Sequence, residues 1–229
     1  MIIDCHLHTE AYSACSHMSA DALCRRAVAR GVDAVVITEH HQWWPGGELD
    51  QLRERHPALR VYNGVELTLE EGYDVVMIGP KPALRPTPYM SLDGLTQLLG
   101  DERQEQFLFS AHPFRYVPSM APDLLRILGR MDGVEMNSVN ILWPMPNAKN
   151  GRLAPTTERL YAMARDEFGL TPLYNTDGHR ESAVGLIAND IDLDGAEPPA
   201  DEAELAALLK LAQPKERQDL DGLRKYFGL

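Results

Sequence analysis

Short apolar, β-branched runs that stop at metal-binding residue types recur along this chain, and they constrain its fold more than any other feature. They are Ile2-Ile3-Asp4-Cys5-His6-Leu7-His8, Val35-Val36-Ile37-Thr38-Glu39-His40-His41, Val61-Tyr62-Asn63-Gly64-Val65-Glu66, Phe107-Leu108-Phe109-Ser110-Ala111-His112, Val134-Glu135-Met136-Asn137 and Leu173-Tyr174-Asn175-Thr176-Asp177-Gly178-His179. Runs without polar alternation are the mark of strands buried on both faces, as in parallel sheets covered by helices. Helical stretches separate most of them, and that alternation indicates an α/β barrel or a doubly wound sheet. A doubly wound sheet gathers its site at one switch point. Here ligand-type residues end strands spread over the whole chain, which favours a closed or nearly closed barrel whose C-terminal face collects every loop.

After the opening strand, further strands are predicted at 33–38, 60–66, 73–79, 107–111, 133–137, 171–176 and 185–192. Helices are predicted at 20–30, 48–56, 91–99, 122–130, 156–168, 201–212 and 220–227. The first helix has Ser19 as N-cap and Gly31 as terminator. About seven strands can take part in a barrel, fewer than the regular eight. With 229 residues, 44% of them hydrophobic, the chain has material for one sizeable core, and residues 1–229 are read as a single domain. The Pro-rich stretches 80–88 and 143–151 read as rigid loops, too short for domain linkers.

The formal charge of −12 argues against a nucleic-acid binder that works through a basic face. An anionic ligand would have to be drawn in locally, and divalent cations invert the potential of an acidic site. Cys5, Cys15 and Cys24 form no C-x-x-C pair and suit reduced thiols in a cytoplasmic protein. The chain starts directly with a strand, so no secretion signal is expected, and no apolar run is long enough to span a membrane.

His6 and His8, one residue apart at a strand end, point to one face and can share a cation. With His40, Glu66, His112, Asp177 and His179 at other strand ends, they read as a polynuclear metal site. Glu66 ends an apolar strand, where a solitary carboxylate is costly to bury, and its two oxygens suit it to bridge two metals.

Four motifs, Asp4-Cys5-His6-Leu7-His8-Thr9, Ile37-Thr38-Glu39-His40-His41, Ser110-Ala111-His112-Pro113 and Thr176-Asp177-Gly178-His179, resemble those of the PHP (polymerase and histidinol phosphatase) family of metal-dependent phosphoesterases. The resemblance implies a distorted barrel of seven strands, (β/α)7, with two or three divalent ions (Mn, Fe or Zn) at the C-terminal ends of the strands. It implies that His6, His8, Glu66 and Asp177 hold one metal, that Glu66 bridges to a second bound by His112, and that His40, His179 and His17 hold a third. Many members carry a histidine in the strand after the glutamate. Tyr73-Asp74-Val75-Val76-Met77-Ile78-Gly79-Pro80 has none, so the second position is weak, differently ligated or empty.

Other residues near these motifs have assignable parts. Asn137 and Asn140 offer amide oxygens, and Glu39 suits orienting a ligating imidazole. His41 and His56 read as surface or packing residues; Trp43 and Trp44 either wall a pocket or fold onto the barrel. Arg115 is the better candidate to grip phosphate oxygens, while Arg180 can equally pair with Glu181. The expected reaction is hydrolysis of a small phosphate monoester by a cation-activated hydroxide, with Arg115 neutralising charge and His17 a candidate proton donor. The rivals are an amidohydrolase-like enzyme acting on C–N or C–O bonds and a metal-binding module with a decayed site.

Overall fold

A computed structural model describes residues 1–115, 118–143 and 151–229. Most of the predicted loop at 143–151 lies outside the described residues. The strands are β1 (Ile2–Leu7), β2 (Ala34–Ile37), β3 (Arg60–Thr68), β4 (Asp74–Ile78), β5 (Phe107–Ala111), β6 (Gly133–Asn137), β7 (Thr171–Tyr174), β8 (Ile187–Asp190) and β9 (Lys215–Gln218). The helices are α1 (Ala20–Ala29), α2 (Gly46–Arg55), α3 (Leu92–Leu99), α4 (Pro122–Leu128), α5 (Val139–Leu142), α6 (Pro155–Phe168), α7 (Glu202–Leu211) and α8 (Leu220–Tyr226). Ser19 caps α1 by accepting from the Ala22 N–H, as its position in the sequence predicts.

All nine strands join one sheet in the order β7-β6-β5-β4-β3-β2-β1-β8-β9. β1 to β3 run parallel, as do β5 to β7. β4 is antiparallel to both its neighbours, and β8 and β9 form an antiparallel hairpin beside β1. The sheet curls until β7 meets β1 and β8, giving the distorted, nearly closed barrel that the motifs imply. The seam is sewn by amides. Asn175 Oδ1 accepts from the Cys5 N–H at 3.1 Å and from Asn189 Nδ2 at 2.9 Å, and Asn189 Oδ1 accepts from the Tyr174 N–H at 2.8 Å. Higher up, the His8 N–H donates to the Gly178 carbonyl at 3.1 Å.

Two departures from the sequence reading have simple causes. β9 escaped notice because Lys-Glu-Arg-Gln has no apolar residue; it is an edge strand held by β8. The antiparallel β4 follows from its connection, since residues 69–73 are too few for the crossover that parallel neighbours need.

The interior packs Ile3, Cys5, Ala34, Val36, Tyr62, Val76, Ile78, Phe107, Phe109 and Leu173, and Leu205, Ala206 and Leu209 of α7 plug the floor. Outside β1 and β2, Leu7, Val35 and Ile37 pack with Leu23, Cys24 and Ala27 of α1. Gly64 lets three strands approach closely: a Cβ there would stand 2.9 Å from Val36 Cγ1 and 3.1 Å from the Met77 carbonyl oxygen. Cys5 and Cys24 are fully buried, Cys15 is exposed, and all three are free. Among the described residues no helix is long and apolar enough to cross a membrane.

Candidate metal centre

The register between β1 and β2 slips between Asp4 and Leu7. Such a bulge places two consecutive residues on one face. Ile3 and Cys5 therefore fill the interior, Leu7 faces α1, and His6 and His8 lean over the barrel mouth. His112 and Asp177 turn into the same space through left-handed backbone, with φ of 31° and 50°. Strain of this kind in non-glycine residues gathers at functional sites.

Glu66 stands at the middle of the cluster and is 1% exposed. Its Oε1 lies 3.3 Å from His6 Nε2 and 3.4 Å from His112 Nε2; its Oε2 lies 3.0 Å from His40 Nδ1 and 3.4 Å from His8 Nε2. Asp177 Oδ1 is 3.6 Å from His6 Nε2, 3.5 Å from His8 Nε2 and 3.6 Å from His179 Nδ1, while its Oδ2 is 3.6 Å from His112 Nε2. The His8 ring is stacked between those of His40 and His179, at 4.5 and 4.4 Å. All seven strand-end ligand candidates thus meet in one place.

Their ligand atoms, with one from Asp74, fall into three groups, each within 4.8 Å: His6, His8 and Asp177; His8, His40 and His179, which shares His8 with the first; and Glu66, Asp74 and His112. Four of these atoms, His6 Nε2, His8 Nε2, Glu66 Oε1 and Asp177 Oδ2, are buried without a hydrogen-bond partner. Converging buried lone pairs are costly unless something binds them. Divalent cations fit that need, and nitrogen and carboxylate donors suit Mn, Fe or Zn.

Charge inside the cluster is tightly balanced. Burial pushes the Glu66 carboxyl up, but the surrounding imidazoles, His6 foremost, more than offset this and hold it well below the usual range. Asp177 is held low in the same way. Burial disfavours protonated His112, yet its bond to Glu66 and the charge of Asp177 raise it to about 9. Against the same burial penalty, Asp177, Glu66 and Glu135 raise His6 well above the ordinary histidine value. For His8 burial prevails and lowers it to about 4, so its ring is neutral and ready to coordinate.

Two residues that the sequence reading left without a part belong here. Asp74 is carried to the cluster because β4 runs backwards: its N-terminal end, and not the end near Gly79, reaches the barrel mouth. Its carboxylate joins Glu66 and His112 as a further candidate ligand, on the strand that lacks a histidine. Thr68 Oγ1 donates to Asp74 Oδ1 at 2.6 Å, and burial raises the Asp74 carboxyl. Glu135 lies behind His6 and is fully buried. Its Oε1 is 3.0 Å from His6 Nδ1 and accepts from Asn175 Nδ2 at 3.0 Å; its Oε2 accepts from the His112 N–H at 3.1 Å. A carboxylate on Nδ1 leaves the Nε2 lone pair facing the cluster. The short connection after β3 signalled the first residue, and a buried carboxylate inside a strand the second.

Some of the remaining expectations are changed and others hold. Glu39 touches no imidazole: it accepts from the Thr9 N–H and hydroxyl, the Ser13 hydroxyl and Trp44 Nε1, and reaches His8 only through Ser13 Oγ, 3.4 Å from Nδ1. His17 has an exposed ring and lies outside the three groups; only its backbone N–H reaches the centre, donating to the His179 carbonyl at 3.0 Å. The Asn137 amide turns away to the Gly151 carbonyl and Glu216, and the Asn140 amide donates to the Asp177 carbonyl at 3.0 Å. Trp43 and Trp44 fold onto the barrel. His56 pairs with Asp21 at 2.7 Å, and His41 lies against Tyr89. Arg115 sits in a turn closed by its own N–H on the His112 carbonyl. Glu181 pairs with Arg26 at 2.9 Å instead of Arg180.

No known family profile matches the chain, and no curated protein sequence matches it. Solved structures do. PsfC from Pseudomonas syringae superposes with a TM-score of 0.69 at 17% identity, over 97% of this chain and 93% of PsfC. A two-domain protein from Bacteroides vulgatus containing a predicted PHP-like metal-dependent phosphoesterase gives 0.62 at 17% identity, over 98% of this chain and 69% of that one. The fold is that of the PHP-like metal-dependent phosphoesterases. An amidohydrolase from Chromobacterium violaceum with bound SO4 shares it, with a TM-score of 0.56 at 18% identity, over 90% and 95% of the two chains. PHP-like and amidohydrolase barrels thus lie side by side in fold, and the donor set must distinguish their chemistry.

Proposed function

We propose that this chain is a metal-dependent phosphoesterase that hydrolyses a small phosphate monoester. The observation that carries the reading is the set of three neighbouring ligand groups, two of them sharing His8, with four buried ligand atoms otherwise unsatisfied. Two or three divalent cations held there supply Lewis acidity and bring the ionisation of water towards neutral pH. Adjacent cation positions suit in-line displacement at phosphorus, where charge develops on both attacking and leaving oxygens. The neighbour containing a predicted PHP-like metal-dependent phosphoesterase supports a phosphate ester as substrate.

The chain's own groups divide the work. Glu66, whose two oxygens face four imidazoles, would hold cations on both sides of its carboxylate. Glu135 orients His6, and Ser13 with Glu39 orients His8. Arg115, one turn beyond His112, grips non-reacting phosphate oxygens. The second reading, hydrolysis of a C–N or C–O bond, is favoured by the amidohydrolase neighbour.

The test is phosphate release from a panel of phosphate monoesters by Mn²⁺-loaded protein, beside chelated protein and His6→Ala. Release that needs both metal and His6 establishes the phosphoesterase. Protein that holds two or more metals yet releases no phosphate, while cleaving amides or esters, refutes it in favour of the second reading.

A further inference from the structure

Beside the metal centre lies a cleft of about 480 Å³, within the usual size of a small-molecule site. One wall is the end of α8, with Lys225, Tyr226 and Phe227; the facing residues are Asn140, Trp143 and Arg180. The cleft borders the centre: Arg180 directly follows His179, and Asn140 Nδ2 donates to the Asp177 carbonyl at 3.0 Å. α8 is fixed where it stands by fully buried Leu223 and by the Asp219 N–H on the Leu186 carbonyl.

The charge of this cleft runs against that of the molecule. The chain carries −12, yet among the described residues no carboxylate lines the cleft and two cations, Arg180 and Lys225, do. Arg180 and Lys225 are both exposed; their carbonyls accept from the Ala183 and Gly228 N–H groups, but among the described residues neither side chain makes a hydrogen bond or an ion pair. Glu181, the acid next to Arg180, is committed to Arg26. Trp143 stacks flat on Phe227, with centroids 5.8 Å apart and planes at 4°, and Tyr226 meets Phe227 edge-on at 5.2 Å. Trp143 is thus held by one face while 58% of it stays exposed to the cleft and solvent.

We propose that this cleft receives the leaving-group half of the substrate, and that this half carries a second anionic group, held by Arg180 and Lys225, next to a planar unit stacked on Trp143. The proposal rests on the phosphoesterase reading for its placement of the reacting phosphate at the metal centre. It narrows the substrate class to phosphate monoesters of anionic, unsaturated alcohols. Two exposed cations acting together on one carboxylate or phosphate discriminate by about tenfold or more, since bonds between charged groups are the stronger class.

The test uses two probes, phenyl phosphate and 4-carboxyphenyl phosphate, which differ by one anion. Binding is read from quenching of Trp143 fluorescence on rapid mixing with Zn²⁺-loaded protein, before turnover, with Trp143→Phe as the background from buried Trp43 and Trp44; hydrolysis is read separately in Mn²⁺-loaded protein. The carboxylated probe is expected to bind at least about tenfold more tightly, and Arg180→Gln with Lys225→Gln to abolish that preference while the affinity for phenyl phosphate stays within about twofold. Equal binding of the two probes, or a preference that survives loss of both cations, overturns the proposal. A charge-dependent preference without hydrolysis of either probe upholds the anion cleft and counts against the phosphoesterase reading, so the two fail separately.

Discussion

Replacing Glu135 by Gln tests the idea that the centre is organised from behind. The residue is fully buried, and its two oxygens serve three donors: His6 Nδ1 at 3.0 Å, Asn175 Nδ2 at 3.0 Å and the His112 N–H at 3.1 Å. Glutamine keeps the shape but offers one acceptor oxygen and one NH2. Whichever way the amide turns, a donor faces a donor, either at His112 or at His6 and Asn175. If it faces His6, the imidazole is driven to the other tautomer, with its proton on Nε2, where the ligand lone pair is needed. Loss of such a supporting carboxylate costs about 10–100-fold in metal affinity. One buried polar group left unsatisfied costs about 1–3 kcal/mol of stability. For a chain of this size that is a melting temperature lower by roughly 2–12 °C. Metal affinity is to be measured by competition with a chromogenic chelator, and stability by thermal unfolding of chelated protein. A variant that binds metal within twofold of the parent would show that Glu135 does not set the His6 tautomer, whatever its melting temperature.

Three further outcomes follow from particular contacts. Asp74→Ala is expected to lower the number of metal ions bound per chain by one, read by elemental analysis after dialysis, with far-ultraviolet circular dichroism unchanged; full metal content would remove Asp74 from the donor set. Gly64→Ala places a methyl 2.9 Å from Val36 Cγ1 and close to the Met77 carbonyl, so overpacking of about 1–3 kcal/mol is expected from denaturant unfolding. In chelated protein, burial lowers His112 but Glu66 and Asp177 raise it to about 9, so the stability it contributes is complete below about 6.5 and lost as pH climbs to about 9. Metal affinity runs the opposite way, increasing over that window as the proton leaves. Calorimetry in buffers of different ionisation enthalpy should show proton release on metal binding at pH 7.5; binding without proton release would contradict the raised value.

The convergence of ligand-type residues was largely legible in the chain itself. His6, His8, His40, Glu66, His112, Asp177 and His179 stand near or just beyond the C-terminal ends of short apolar strands, and strands that pack into one barrel bring such ends together. Neither the burial of the strands nor their helical separation needs long-range information, so the α/β barrel was equally accessible. His17 and Glu39 were harder, because they occupy a loop and a strand exit whose side-chain directions no periodicity sets. Only the tertiary structure decided what depends on strand direction and on contacts between distant segments. The reversed β4 brought Asp74 to Glu66 and His112, and Glu135 found His6 across 129 residues of chain. The cleft cations Arg180 and Lys225 meet only because α8 returns to the barrel mouth. Sequence patterns record which face of an element is buried, whereas such meetings are fixed by where each element docks, and that is settled by the packing of the whole core.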